Sequence, residues 1–254
     1  MECSSKHLNS LKSHCDKLVQ LCQDKEHYNL DDSDHLGFMT LCFLGKQIDH
    51  MVAILKLFPH PDMQLISRAM IEGLSQLLWC FQEPERAFLW RGYAWINDWR
   101  VSRQMIEEGQ EVPPNYLKNI EEFISEKGDL FKINRYKNQP VPEDVDPFHK
   151  NWRCGKKLIE ITEEVGGEAL YNQLYSPYSD WQHWGIASIG QMIKRDESGV
   201  TYGDKASSGD LCSSLAVAFQ CLYQVMELNN SHHKLGMENK LSKLRDEYIL
   251  MHQA

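Results

Sequence analysis

Arg68 and Glu72 are the only charged side chains between Met63 and Gln82, and they stand four residues apart. Four residues make one helical turn, so on a helix the two side chains point the same way. Their neighbours, among them Ile66, Met70, Ile71, Leu74, Leu77 and Phe81, are apolar on nearly every side, as in a helix buried within a bundle. A charge in such surroundings is costly unless it is paired and hydrogen-bonded. Both residues are therefore expected to be buried and to find partners elsewhere in the chain, with Tyr175, Ser179 and His183 as candidates. A guanidinium fork matches carboxylates and phosphates in a two-point fashion. The pair is thus either an internal clamp or the wall of a pocket for a small or anionic ligand. If it is a buried pair, Arg68→Ala should cost roughly 3–5 kcal/mol.

Polar-tipped aromatics and a histidine form a second group: Trp152, Tyr171, Tyr175, Tyr178, Ser179, Trp181, His183 and Trp184. Ser179 and His183 are again one helical turn apart. Such aromatics bury the ring and keep the polar tip bonded, so packing accounts for much of the pattern. Their density around His183 also suits a pocket wall. The candidate ligand-binding set is Arg68, Glu72, Trp152, Tyr175, Ser179 and His183, with no catalytic residue assigned.

The segment Ser67-Arg68-Ala69-Met70-Ile71-Glu72, followed by its apolar run, resembles the Arg-x-x-x-Glu helix of a family of bacterial, mostly helical proteins classed as a domain of unknown function. Trp152, Leu170-Tyr171, Tyr175, Ser179 and His183 resemble the same family's later Trp…Tyr…Tyr-x-x-x-Ser-x-x-x-His signature. The resemblance spans about Leu36 to Leu228. It implies a helical fold and marks Arg68, Glu72, Tyr175, Ser179 and His183 as motif positions, and it implies no reaction. Family members continue from the histidine into an apolar residue and small residues, whereas Trp184-Gly185 follows here.

Other chemistries are poorly served. A ferritin-like dinuclear centre needs two Glu-x-x-His pairs and further glutamates, and only Asp180-x-x-His183 approaches that pattern. No metal and no cofactor is expected. Phosphate-binding glycine loops, dinucleotide fingerprints and the Gly-x-Ser-x-Gly elbow are missing from the sequence. Arg245-Asp246 with His252 resembles the arginine-polar…histidine pattern of helical, metal-independent ribonucleases of the higher-eukaryote/prokaryote nucleotide-binding type. In that alternative Arg245 would stabilise phosphate charge and His252 would move a proton. Residues seven apart on a helix sit about 10 Å apart along its axis. Arg245 and His252 are therefore expected to face solvent, and the protein to leave RNA intact.

The 254 residues carry a formal net charge of −9, with 42% hydrophobic and 25% charged residues. These values suit a globular protein and disfavour a broad nucleic-acid surface. Eight cysteines without a Cys-x-x-Cys pair read as free buried thiols in a reducing cytoplasm. With no signal-like start and no run of about 18 apolar residues, a soluble cytoplasmic protein without a membrane partner is expected. Homo-oligomers remain open.

Periodicity at three- and four-residue steps predicts an all-α multi-helix bundle of about eight or nine helices. It forms a single domain over 1–254, with helices 5–24 and 233–252 as possibly peripheral elements. Asp31-Asp32-Ser33-Asp34 offers caps for a second helix ending near Phe58, and Pro59-His60-Pro61 breaks the chain. A third helix carries Arg68 and Glu72. A fourth runs from Pro84 to Gly109, and a fifth from Pro113-Pro114 to Gly128. The proline-spaced stretch 133–151 reads as loop. Helix resumes near Gly155 and stops at Gly166-Gly167. Residues 168–194 read as two helices interrupted around Pro177. After a loop over 195–208, with a possible short strand at Gly199–Tyr202, an apolar helix runs from Asp210 to Leu228. A polar amphipathic helix follows.

Overall fold

In the computed structural model the described residues are 4–23, 28, 30–137, 139–142, 144–183, 185, 190, 193–202 and 207–253. Asp24, Trp184 and the stretch 203–206, named above, lie outside them. Helix α1 (Ser5–Gln23) buries the stripe Leu8, Leu11, Cys15, Leu18, Val19 and Cys22. Asp34 caps α2 (His35–Leu57) by accepting from the Gly37 amide at 2.8 Å, satisfying one of the free donors of a helix start. After the proline break come α3 (Met63–Gln82) and α4 (Glu85–Glu107). Helix α5 (Pro114–Lys127) has proline in its first turn. Irregular chain with two 3-10 turns, Gly128–Phe131 and Asn134–Tyr136, leads to α6 (Leu158–Glu164), after which Gly166 at φ +73° ends the run.

Helix α7 covers residues 168–182 as a continuous stretch: Glu168–Leu170, a π turn at Tyr171–Tyr175 and Ser176–Gln182. A hairpin of β1 (Ile193–Asp196) and β2 (Gly199–Tyr202) pairs antiparallel, with Ile193 opposite Tyr202. Helix α8 (Ser208–His233) starts where the Ser207 hydroxyl accepts from the Asp210 amide at 3.1 Å. It ends at Lys234, which is left-handed at φ 54°. Helix α9 (Glu238–Gln253) closes the chain.

Helix α8 is the centre of the bundle, with α1, α2 and α3 packed around it. Leu11, Leu18, Met39, Ile54, Met70 and Leu215 are fully buried there, and burial of each such side chain is worth roughly 1.5–3 kcal/mol. Gln47 of α2, itself buried, donates to the Met70 carbonyl of α3 at 2.9 Å. A Cβ at Gly73 would lie 2.9 Å from the Gln47 Nε2, so the glycine permits this close approach of the two helices. Helix α4 leans on α2, and α5 on α4. A smaller apolar cluster of Tyr93, Ile96, Phe131 and Phe148 fills the space beneath them, and Trp152 touches both clusters. Helices α6 and α7 lie across α3.

The all-α bundle stands, with nine helices and one small hairpin among the described residues. The details differ in four places. Helix α1, read as possibly peripheral, lays its apolar stripe against α8. The last helix starts at Glu238 instead of 233, since α8 runs on to His233. Pro177 does not interrupt α7; the irregularity comes just before it, where the Ser176 amide bonds back five residues to the Tyr171 carbonyl. A π turn of this kind widens the helix locally, which relieves the clash a proline ring makes with the preceding turn. Helix does not continue to Lys194: Glu197, Ser198 and Gly199, the last at φ +129°, turn the chain into the hairpin.

Two helices, His35–Leu57 and Ser208–His233, are long and apolar enough by length and composition to cross a bilayer. Here they pack on each other and bury the polar side chains of Thr40, Gln47, Asn229 and Asn230.

Candidate functional site

Helix α3 has two unlike faces. Ser67, Met70, Ile71, Leu74 and Leu77 are buried. Arg68, Glu72, Gln76 and Trp79, at steps of four, four and three, form a ridge on the other side. Each reaches chain lying between residues 152 and 175. An Arg68 Nη donates to the Tyr175 hydroxyl at 2.6 Å. Glu72 lies 3.7 Å from an Arg153 nitrogen and accepts from Gln76 at 3.2 Å. Gln76 in turn accepts from the Trp152 indole at 3.1 Å. The Trp79 indole donates to Glu164 at 2.6 Å. Lys156 also bonds Glu164, and these two donors, Lys156 foremost, hold its carboxyl below the usual glutamate range. Arg86 covers Trp79 with its guanidinium 4.1 Å from the ring centre.

Arg68 lies over Tyr175, with its guanidinium carbon 4.5 Å from the ring centre. Tyr171 stacks on Tyr175 from one turn away, with centroids 4.8 Å apart. Burial, reinforced by Glu72 and opposed by Arg68, raises the Tyr175 hydroxyl above its ordinary value, so it stays protonated. The Arg68 Nε is buried without a hydrogen-bond partner. Among the described residues no carboxylate pairs with Arg68, because Glu72 turns to Arg153 instead.

The expected set is therefore only partly assembled. Arg68 with Tyr175 and Glu72 with Trp152 through Gln76 belong to one ledge. Arg68 and Glu72 do not pair with each other, and both are half-buried rather than buried. The reason is the thin cover on this side of α3, where Leu65, Ile66 and Ala69 are half-exposed as well. Ser179 is half-buried one turn beyond Tyr175, and its carbonyl accepts from the His183 amide at 3.0 Å. His183 follows the last helical residue and is exposed. It lies about 12 Å along the axis from Tyr175 at 1.5 Å per residue, so the helix carries it away from Arg68.

Arg153, Gln76, Trp79 and Glu164 were not among the sequence candidates. Gln76 and Trp79 continue the helical stripe of Arg68 and Glu72, a signal that was legible. Arg153 and Glu164 have no such mark.

Nothing on the ledge is a ready nucleophile. Burial pushes the thiols of Cys22, Cys80 and Cys221 up to about 12, where the reactive thiolate is scarce. Among the described residues no group of three metal-ligating side chains occurs. Arg245 pairs with Asp246 at 3.6 Å, while the exposed His252 packs edge-on against Tyr248 and His7. Those two residues serve different neighbours.

No curated protein and no solved structure matches the chain. A family model does, over residues 38–200, a span that holds the whole ledge. The chain belongs to that family, a family of unknown function (DUF5677).

Proposed function

We propose that the protein is a binding module in which the α3 ledge holds an oxyanion, a carboxylate or a phosphate group, on Arg68. The observation that carries this reading is the guanidinium itself: half-buried, set over the Tyr175 ring and bonded to its hydroxyl, with a buried Nε that has no partner among the described residues. A charged donor left unpaired in such a place costs free energy, and a ligand oxygen relieves that cost. Arg153 adds a second cation 3.7 Å from Glu72, so the ledge carries more positive than negative charge around Arg68. Tyr171 and Trp152 supply flat apolar surface for the rest of the ligand. Buried free thiols at Cys15, Cys22, Cys80 and Cys221 support a reducing, cytoplasmic setting.

The test is a titration of the full chain with inorganic phosphate and with acetate, read by calorimetry and by tryptophan fluorescence. Saturable binding by at least one anion is expected, weakened at least tenfold in Arg68→Gln. Equal binding by Arg68→Gln, or no saturable binding to the wild type, overturns the proposal.

A further inference from the structure

The groove between α8 and α9 is a second place where charged and apolar groups meet, and all but one of its residues lie beyond the span 38–200 of the family match. Two open cavities of about 620 Å³ each meet there and share Tyr223, Glu227, Ser231 and Arg245. On one side of this junction the lining is polar, with Lys234 and Glu238. On the other it is apolar, with Phe219 and Tyr248 at its wall. Those two rings lie face to face with centroids 4.1 Å apart and planes within 1°.

Glu227 is half-buried and accepts from the Tyr223 hydroxyl at 2.9 Å. Neither Arg245 nor Lys234 forms an ion pair with it. Arg245 is exposed and, among the described residues, pairs with Asp246 at 3.6 Å and donates to Ser242 at 3.4 Å. Burial, Glu227 and Asp246 raise the Tyr223 hydroxyl while Arg245 lowers it, and Glu227 and Arg245 both line each of the two cavities. The junction thus offers Glu227 and the Arg245 fork, not joined to each other, beside an apolar wall.

We propose that this groove binds a small apolar α-amino acid in its zwitterionic form. The carboxylate lies on Arg245, the ammonium on Glu227, and the side chain against Phe219 and Tyr248. A plain carboxylic acid would leave Glu227 facing a second negative charge, and a plain amine would leave the Arg245 fork with only Asp246 and Ser242 beside it. An amino acid carries both charges on adjacent atoms, which matches a site where both protein charges border one junction. Arg245, the arginine of the nuclease-like pattern, acquires a role that needs no help from His252.

Calorimetry tests the assignment on the full chain carrying Arg68→Gln, which removes the carboxylate site of the α3 ledge, with L-phenylalanine alongside phenylalaninamide, N-acetylphenylalanine and glycine. Phenylalanine should bind saturably, and each analogue, lacking one of the three features, should bind at least tenfold more weakly. Glu227→Gln and Arg245→Gln, each added to that chain and checked for native circular dichroism, should weaken phenylalanine at least tenfold. The proposal fails if phenylalanine gives no saturable binding, if any analogue binds as well, or if either groove variant keeps full affinity.

Discussion

Arg68 and Arg100 occupy matching positions in two neighbouring regions, and the contrast between them separates a clamp from a site. Each rises from a long helix, lies over a tyrosine ring and donates to that tyrosine's hydroxyl, Arg68 at 2.6 Å and Arg100 at 2.7 Å. Arg100 then uses up its fork. Its Nε donates to Asp146 at 2.9 Å and an Nη donates to the His149 carbonyl at 2.9 Å. The Tyr93 hydroxyl donates to that same carbonyl at 2.8 Å. Arg100 therefore fastens the irregular chain after α5 onto α4, and every strong donor is answered. Among the described residues Arg68 has the tyrosine and no acid, and its buried Nε is unanswered. Both are half-buried arginines; what distinguishes the candidate site is the bond left unmade.

If this contrast is sound, stability should respond most to Arg100. Arg100→Ala breaks the ion pair with Asp146 and the bonds to two carbonyls, and should lower the unfolding free energy by roughly 2 kcal/mol, below the cost of breaking a fully buried pair. The cost is lower because the Phe148 amide and Lys150 still serve Asp146 and Tyr93 still serves the His149 carbonyl. Urea denaturation checks it. Arg68→Ala should cost only about 1 kcal/mol, the net worth of one hydrogen bond, while removing anion binding. That is well below the cost expected of a buried pair, because the structure gives Arg68 no ionic partner. Equal losses in the two variants would break the comparison.

Acid sharpens it further, with a smaller effect. Burial pushes the Asp146 carboxyl up, but the Phe148 amide, Arg100 and Lys150 together hold it below its ordinary value of 3.8. A carboxyl depressed in the folded state contributes stability above its unfolded value, and that contribution disappears as the pH falls through the folded value. Asp146→Asn should therefore be less stable than the wild type at about pH 6, with a gap of at most about 1 kcal/mol after solvent screening. The gap should narrow as the pH falls below 3.8 and through the depressed folded value, where the native carboxyl is protonated. A gap that does not narrow with acid would remove Asp146 from the clamp.

Much of the fold was legible in the sequence because helices announce themselves locally. The Leu8–Cys22 stripe, the Asp34 cap, the proline breaks after Phe58 and the glycine stops all act within a turn or two. The hairpin strand Ile193–Asp196 was not legible: its four residues show no clear alternation, and only pairing with Gly199–Tyr202 makes them a strand. The π turn escaped because Pro177 is the louder signal, although the backbone had already adjusted before it. In the candidate site, Arg68 stood out as a charge in an apolar stretch, but Arg100 did not, since α4 is polar on much of its surface.

The amino-acid sequence by itself determined where the helices run, which faces they bury, and that Arg68 and Glu72 would need partners, because these follow from periodicity, capping and desolvation over a few neighbouring residues. Only the tertiary structure decided who those partners are. Arg68 meets Tyr175 across 107 positions of chain, Glu72 turns to Arg153, and His183 is carried past the end of its helix into solvent. Such choices depend on how separately formed helices and the loop between them come to rest on α3. No local pattern encodes that, because the energy that selects it comes from contacts between distant segments.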